Sequence, residues 1–446
     1  MKAGFVFLAA LAWCVSVLTQ TMPQTLPQTP PSAPAGAAAS QRPSITLQDA
    51  IQRAKLDSAE FRAALTAAGL AREDVVQARA ALLPGINYTT GAIRTEPNQT
   101  PSGRFISSNG PNEYISQGSA QETIGFTGLA DYRRSHAAAA LAKAKAEIAA
   151  RGLVATVVQD FYGAIVAQRS IANAEAAAGE ARRFVQLSEQ LEKGGEVAHA
   201  DAIKARLQAN DRELDLQNAR LAEENARLSL AVLIFPAFTQ DFELVDDLRF
   251  PPPLPAFPEA EKLAAQNNPE IAVALAATAA AAREVDVARG GHLPSLTFAY
   301  FYGIDAPDYA TRSDGVRNLG YQYSATLQLP VFSWGATQSK VRQAELQEKQ
   351  AKVELSAAQR QALANLRIFY AEAAARKDQI DTLRQSADLA AESLRLTNLR
   401  YRAGEAGALE VVDAQNALAL ARNNFDDGEA RYRVALANLQ TLTGAF

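Results

Sequence analysis

The sequence is poor in the residues that usually carry chemistry. It has one cysteine, Cys14, and three histidines, His136, His199 and His292, which lie far apart. Neither histidine spacing nor cysteine count fits a metal site, and no disulfide framework is possible within one chain. No catalytic residue, cofactor site or metal site is expected. No phosphate-cradling glycine loop and no nucleophile elbow occur, so nucleotide hydrolysis and serine-type acyl transfer are excluded. The formal net charge is −4, which gives no reason to expect a nucleic-acid partner. Past residue 42 there is no apolar run long enough for a membrane-spanning helix.

The N-terminus does have an apolar stretch, residues 5–18 after Lys2, of a length that suits an export signal and not a span. We assign residues 1–22 as signal peptide and 23–43 as a Pro-, Ala-, Gln- and Thr-rich disordered linker. Cys14 is either an ordinary residue of the apolar signal core or a lipidation cysteine.

What the sequence has in excess is alanine, in long runs with Glu, Lys, Arg, Gln and Leu, a mixture that favours long helices. These runs occur twice. Asn268-Pro269-Glu270-Ile271, leading to Leu293-Pro294, aligns without a gap on Ser58-Ala59-Glu60-Phe61, leading to Leu83-Pro84. Phe161-Tyr162 matches Phe369-Tyr370, and Gly195-Glu196 matches Gly404-Glu405. The separation is about 210 residues, far beyond solenoid periods. The chain therefore reads as one unit used twice, residues 44–250 and 251–446, joined at the proline-rich stretch 251–258.

Each unit has the same expected order. A helix starts near Thr46, where Asp49 completes a capping box, or near Pro258, and stops before Leu-Pro. Extended segments follow at 86–95 and 123–129, and at 296–304 and 321–332, around solvated loops 97–118 and 305–320. Next come helical runs of roughly 90–100 Å, residues 132–192 and 336–402. After Gly194-Gly195 and Gly404 the chain turns back into helices 201–235 and 410–442. Ile380, Leu383, Ala387, Ala390, Leu394, Thr397 and Tyr401 alternate three and four apart, as do Val411, Ala414, Leu418 and their successors to Leu442. That is coiled-coil spacing. Glu223-Glu224 and Asp426-Asp427 are expected to face solvent.

The extended segments have the length of strands that cross an outer membrane, and aromatic residues gather on them: Tyr300, Phe301 and Tyr302 on one side, Tyr321, Tyr323, Phe332 and Trp334 on the other. Four such strands cannot close a barrel, and open edges are not tolerated in hydrocarbon. Closure needs further copies of the chain, and three copies supply twelve strands. The expected fold is mainly α, with long antiparallel coiled-coil helices forming a tunnel and four strands per protomer forming a 12-stranded transmembrane β-barrel in a homotrimer.

Leu327-Gln328-Leu329-Pro330-Val331-Phe332-Ser333-Trp334-Gly335, then Tyr401-Arg402-Ala403-Gly404-Glu405 with Leu409-Glu410-Val411-Val412-Asp413, and the ending Leu439 to Gly444, together resemble the TolC family of outer-membrane efflux proteins. The first unit departs from the pattern, since Ile124-Gly125-Phe126-Thr127-Gly128 lacks the proline of Leu329-Pro330. The resemblance implies a homotrimeric outer-membrane channel whose helical tunnel crosses the periplasm to a periplasmic adaptor (membrane fusion) protein and an inner-membrane transporter. It places a pore constriction at Glu410 and Asp413, the alternative being solvated charges on a coiled coil. It also implies a periplasmic tip gate and adaptor-docking region at Gly194, Gly195, Asp201, Tyr401 and Gly404, with Ala406 where some members have an arginine. The competing reading of the residues is a periplasmic coiled-coil adaptor or scaffold protein.

Overall fold

The computed structural model describes residues 43–94, 112–237, 241–313 and 315–444. The export signal with Cys14, nearly all of the linker and most of the first hairpin tip lie outside the described residues. In chain order the elements are β1 (Ser44–Ile45), α1 (Leu47–Asp57), α2 (Ala59–Ala80), β2 (Gly85–Arg94), β3 (Asn112–Gly125), α3 (Phe126–Gly194), α4 (His199–Ile234), β4 (Glu243–Leu244), α5 (Phe257–Asn267), α6 (Pro269–Gly290), β5 (Ser295–Ala306), β6 (Arg312–Ser313), β7 (Val316–Arg317), β8 (Leu319–Gln328), α7 (Ala336–Arg402) and α8 (Ala408–Thr443).

The second half repeats the first almost residue for residue: α2 and α6 each have 22 residues, α3 has 69 and α7 has 67, and α4 and α8 each have 36. At 1.5 Å per residue, α3 and α7 are each about 100 Å long. The helix expected after Thr46 begins as read, with the Thr46 hydroxyl accepting from the Asp49 N–H at 3.2 Å and the Asp49 carboxylate accepting from the Thr46 N–H at 3.2 Å. It is not continuous, however. The Ser58 hydroxyl accepts from the Phe61 N–H, and the Asn268 carboxamide oxygen accepts from the N–H groups of Glu270 and Ile271, so each half contains a short helix, a break, and a new capped helix. Pro269 enforces the second break by keeping Asn268 out of helical geometry.

The helices lie side by side. Near the sheet the order is α2, α3, α6, α7; towards the other end it is α4, α3, α8, α7. Both rows end in helices with one unpartnered side. The seam read on α7 and α8 is buried as expected: Ile380, Leu394, Tyr401, Val411, Ala414, Leu418, Tyr432, Leu439 and Leu442 are all buried. Gly428 also lies on it, and a methyl group there would run into the Leu383 side chain of α7. The largest core sits midway along the helices, where Val157, Phe161, Tyr162 and Ile165 of α3 meet Leu230 and Ile234 of α4 and Phe242 and Leu248 of the connection between halves. There β1 pairs with β4 in parallel, Ile45 opposite Leu244.

The four long strands form one antiparallel sheet in the order β2-β3-β5-β8. The expected strand 123–129 is corrected: β3 runs Asn112–Gly125, and Phe126 onwards is already helical. Without a proline at this corner nothing delays the helix, whereas in the second half Pro330 and the left-handed pair Trp334 (φ 52°) and Gly335 (φ 83°) intervene before α7. The expected strand 321–332 likewise ends at Gln328, which leaves Phe332 and Trp334 on the connection to α7, and the small β6–β7 ladder occupies part of the expected loop 305–320.

Register divides the sheet into two chemically distinct faces. Tyr300 pairs with Tyr323 and Tyr302 with Tyr321; across β3 the same level carries Ala120 and Gly118, and these pair with Ile86 and Tyr88 of β2. Leu296, Phe298, Leu327 and Ile124 continue this mainly apolar face, which also carries Thr90, Ser116 and, opposite Phe298, Glu122. The opposite face presents Asn87, Thr89, Gln117, Ser119, Gln121, Thr123, Thr297, Gln322, Ser324 and Thr326. Thr123 and Thr297 hydrogen-bond across it at 3.0 Å. Phe301 therefore does not share a side with Tyr300 and Tyr302; it stands on the polar face, because side chains alternate along a strand. Gly303 is needed where it is: a Cβ would collide with the Ser116 carbonyl and with Gln117 of β3.

Candidate pore and tip sites

At the end of the molecule away from the sheet, two helix-turn-helix tips lie together. Gly195 (φ 76°) and Gly404 (φ 75°) take left-handed backbone conformations that close α3 and α7. In both turns the next N–H reaches back, Glu196 to the Leu191 carbonyl and Glu405 to the Arg400 carbonyl, each at 2.9 Å. Those are Schellman-type stops, which need glycine at the left-handed position. Gly194 is the last residue of α3, and a Cβ there would make only ordinary contact with Glu196.

The tips are joined by an apolar cluster of Phe184, Ala205, Leu394, Tyr401, Ala408, Val411, Ala414 and Leu418, against which Ala406 also packs. Tyr401 is the polar exception. It is 1 % exposed, and its hydroxyl bonds to the Ser188 hydroxyl at 3.0 Å, while its ring meets Phe184 edge-on at 5.1 Å between centroids. Burial raises the Tyr401 phenol above its ordinary pKa; Ser188 works against this, and the Asp201 carboxylate adds to it. The structure thus brings Asp201 and Tyr401 to one tip, yet gives the tyrosine hydroxyl to Ser188, and Asp201 approaches Lys204 at 3.5 Å. Ser188 escaped the sequence reading. Its signal is a lone polar residue within the stripe Ala181, Phe184, Ser188, Leu191 on α3.

Glu410 and Asp413 are both exposed, one turn apart at the start of α8. Glu410 caps its own helix, accepting from the Gly407 N–H at 3.3 Å, and accepts from the Arg400 guanidinium at 3.1 Å. Arg400 also donates to the Glu405 carbonyl at 3.1 Å, which ties it to the turn. The carboxylate pair is thus partly neutralised within its own protomer.

Midway along the helices a second polar centre holds the row together. Arg169 of α3 donates to both carboxylate oxygens of Asp246 at 2.6 and 2.8 Å, to Asp426 at 3.0 Å and to Glu429 at 2.7 Å. This corrects the expectation for Asp426, which faces Arg169 and Asn173 in the helix row; its neighbour Asp427 does face outward, paired with Arg431. Burial opposes the charge on Arg169, but the three carboxylates outweigh it and hold its pKa above the ordinary value. Burial likewise opposes ionisation of Asp246, and Arg169 with the Leu248 N–H outweighs it, so that carboxyl lies below the usual range. The connection between the halves is further fastened by Tyr432 to the Pro252 carbonyl at 2.7 Å and Tyr370 to the Pro255 carbonyl at 3.1 Å.

Among the described residues, no group of three or more His, Cys, Asp or Glu side chains is placed to hold a metal ion, and no helix is long and apolar enough to cross a membrane. A sheet that is mainly apolar on one face and polar on the other, continuing into helices of about 100 Å, defines a subunit of an envelope-spanning channel. Comparison with known proteins agrees. Residues 261–445 match the family described as outer membrane efflux protein. The alkaline protease secretion protein AprF of Pseudomonas aeruginosa is 25 % identical over 90 % of this chain and 85 % of its own length. The outer membrane protein TolC of Vibrio cholerae is 25 % identical over 82 % of this chain and 83 % of its own. The crystal structure of the Campylobacter jejuni CmeC outer membrane channel superposes with a TM-score of 0.78 at 19 % identity, over 89 % of this chain and 85 % of that one. The second half of the chain thus matches the outer membrane efflux protein family, and the relatives that align with most of the chain are similar to it throughout both halves; its place is the outer membrane, with the helical tunnel in the periplasm.

Proposed function

We propose that three copies of this chain form a passive conduit through which an inner-membrane transporter, coupled by a periplasmic adaptor, exports its cargo. The observation that carries the proposal is the sheet: one face is mainly apolar, and β2 and β8 are both open edges. Tyr321 and Tyr323 are 70 % and 78 % exposed in the single chain, and Ile86 is 84 % exposed. Leaving such side chains in water forgoes about 1.5–3 kcal/mol each. Lipid around a closed barrel removes that cost, and β2 of one copy meeting β8 of the next closes the ladder.

The helices support the same arrangement. On α4, at the open side of the row, Leu207, Leu214, Leu221 and Leu228 recur every seventh residue and are exposed. Leu389 and Leu396 form a similar exposed stripe on α7, the opposite edge. Heptad leucines without a partner suit coiled-coil packing of α4 against α7 of a neighbouring copy. In the trimer Glu410 and Asp413 of three copies would ring the periplasmic opening, with Gly194, Gly195, Asp201, Tyr401 and Gly404 forming the tip that gates it and meets the adaptor. Transport energy comes from the transporter, and the chain itself acts without catalysis or cofactor.

The test is single-channel recording from the purified protein in planar bilayers. Discrete conductance with cation preference is expected, and Glu410→Ala with Asp413→Ala should reduce that preference. A water-soluble monomer that carries no current would overturn the proposal.

A further inference from the structure

A groove runs over α8 between α3 and α7, just above the tips, and encloses a cavity of about 270 Å³. Its rim is strongly basic. Arg183 of α3, Arg402 of α7 and Arg422 of α8 line it without a carboxylate partner among the described residues, while Arg395 is clasped by Glu392 at 2.7 Å. Glu180 is the one acidic residue of the lining. At the base lies Gln415, 6 % exposed, whose carbonyl oxygen Oε1 is buried with no hydrogen-bond partner. An unpaired buried carbonyl costs about 1–3 kcal/mol. The base therefore lacks a donor, and the rim carries more arginines than carboxylates.

Two features fix what such a groove can receive. First, α8 stands inside the row α4-α3-α8-α7, so the groove is not at either open edge and association of copies through those edges leaves it uncovered. Secondly, Gln415 and Arg422 lie about half a turn around α8 from Asp413. If Asp413 faces the pore, the groove opens outward to the periplasm.

We infer that this groove is a docking site for the acidic N-terminal end of a helix in a periplasmic protein partner. Helix N-termini favour Asp and Glu in their first turn and carry unpaired backbone N–H groups. The carboxylates would pair with Arg183, Arg402 and Arg422, and an N–H would satisfy Gln415. The inference rests on the proposal that the tip meets a periplasmic partner, and it adds the charge that this partner brings.

The test uses full-length trimer in detergent and, as probe, a synthetic helical hairpin labelled for fluorescence anisotropy, with Glu in the first turn of its second helix. Matched hairpins carry Gln or Lys there. The Glu hairpin is expected to bind about tenfold more tightly than the Lys hairpin, and this preference should shrink in 0.5 M salt, where the Debye length is only about 3–5 Å. Combined Arg183→Gln, Arg402→Gln and Arg422→Gln should abolish the preference, while Arg360→Gln, on α7 outside the lining, leaves it intact. Arg183→Gln alone, at an exposed position, should lower affinity for the Glu hairpin about threefold. Equal binding of the three hairpins, or an unchanged preference in the triple variant, overturns the inference. Bilayer conductance of the same preparations reads the channel proposal separately: hairpin discrimination without conductance would sink the channel and spare the groove, and conductance without discrimination would do the reverse.

Discussion

The middle of the helix row and its tip both bury an apolar cluster between α3 and α8, but they are locked by different means. In the middle, Arg169 is held by three carboxylates from two separate segments, and tyrosine hydroxyls pin the connection between halves. At the tip, a neutral bond between Tyr401 and Ser188 crosses from α7 to α3, and Gln208 and Arg212 of α4 donate to Asn416 of α8, beside an exposed Arg400–Glu410 pair. A partly buried cation with hydrogen-bonded carboxylates resists separation strongly, whereas a neutral hydroxyl pair contributes about 1 kcal/mol. The contrast teaches that charged, multiply bonded contacts hold the middle more firmly than the neutral contact holds the tip.

The sharpest way to break this contrast is Arg169→Ala. It leaves Asp426 and Glu429 partly buried without their cation, and a loss of about 3–5 kcal/mol is expected, read from denaturant unfolding in detergent. A loss under about 1 kcal/mol would show that the middle is no firmer than the tip. Next in size, Gly195→Ala and Gly404→Ala should each cost about 1–2 kcal/mol by forcing a Cβ into left-handed geometry. Tyr401→Phe should cost about 1 kcal/mol and raise the open probability of the channel in bilayer recordings, with unchanged gating counting against the Tyr401–Ser188 bond as a restraint. The smallest effect concerns Gly194→Ala, which fits a helical position with room for a methyl group and should stabilise by about 0.4–1 kcal/mol.

Acid provides a second handle on the middle. The Asp246 carboxyl has a folded-state pKa depressed below 3.8. Its contribution is therefore fully present above the unfolded-state value and is lost as pH falls through the folded one. Unfolding free energy measured below about pH 4 should drop more steeply in the native protein than in Asp246→Asn.

Much of this was legible in the sequence because it is periodic or local. The α7 and α8 seam follows the three-four spacing from Ile380 to Tyr401 and from Val411 to Leu442, and the turns at Gly195 and Gly404 announce themselves by residue type. The N-terminal half of β3 was not legible. Asn112 to Gly118 is rich in polar and small residues, since one of its faces is polar and the other lies beside tyrosines of neighbouring strands, so it reads as loop chemistry. The helical start at Phe126 was hidden by aromatic and β-branched neighbours that suit a strand equally well. Asp426 was misread because its partner Arg169 comes from another part of the chain, and no local pattern reports a long-range ion pair. At the tip, Tyr401 is conspicuous as the aromatic end of the α7 seam, whereas its hydrogen-bond partner Ser188 gives only the faint signal of one polar residue in an apolar stripe.

The missing side chain at Gly428 has a mechanical consequence. There the Leu383 side chain of α7 fills the space that a Cβ on α8 would need, close to the Arg169 centre and roughly 30 Å of helix from the Gly407 end. Were the tip to swing about this contact, the α7–α8 pair below it would act as a lever, and about 5° would carry its end by roughly 3 Å at that arm length.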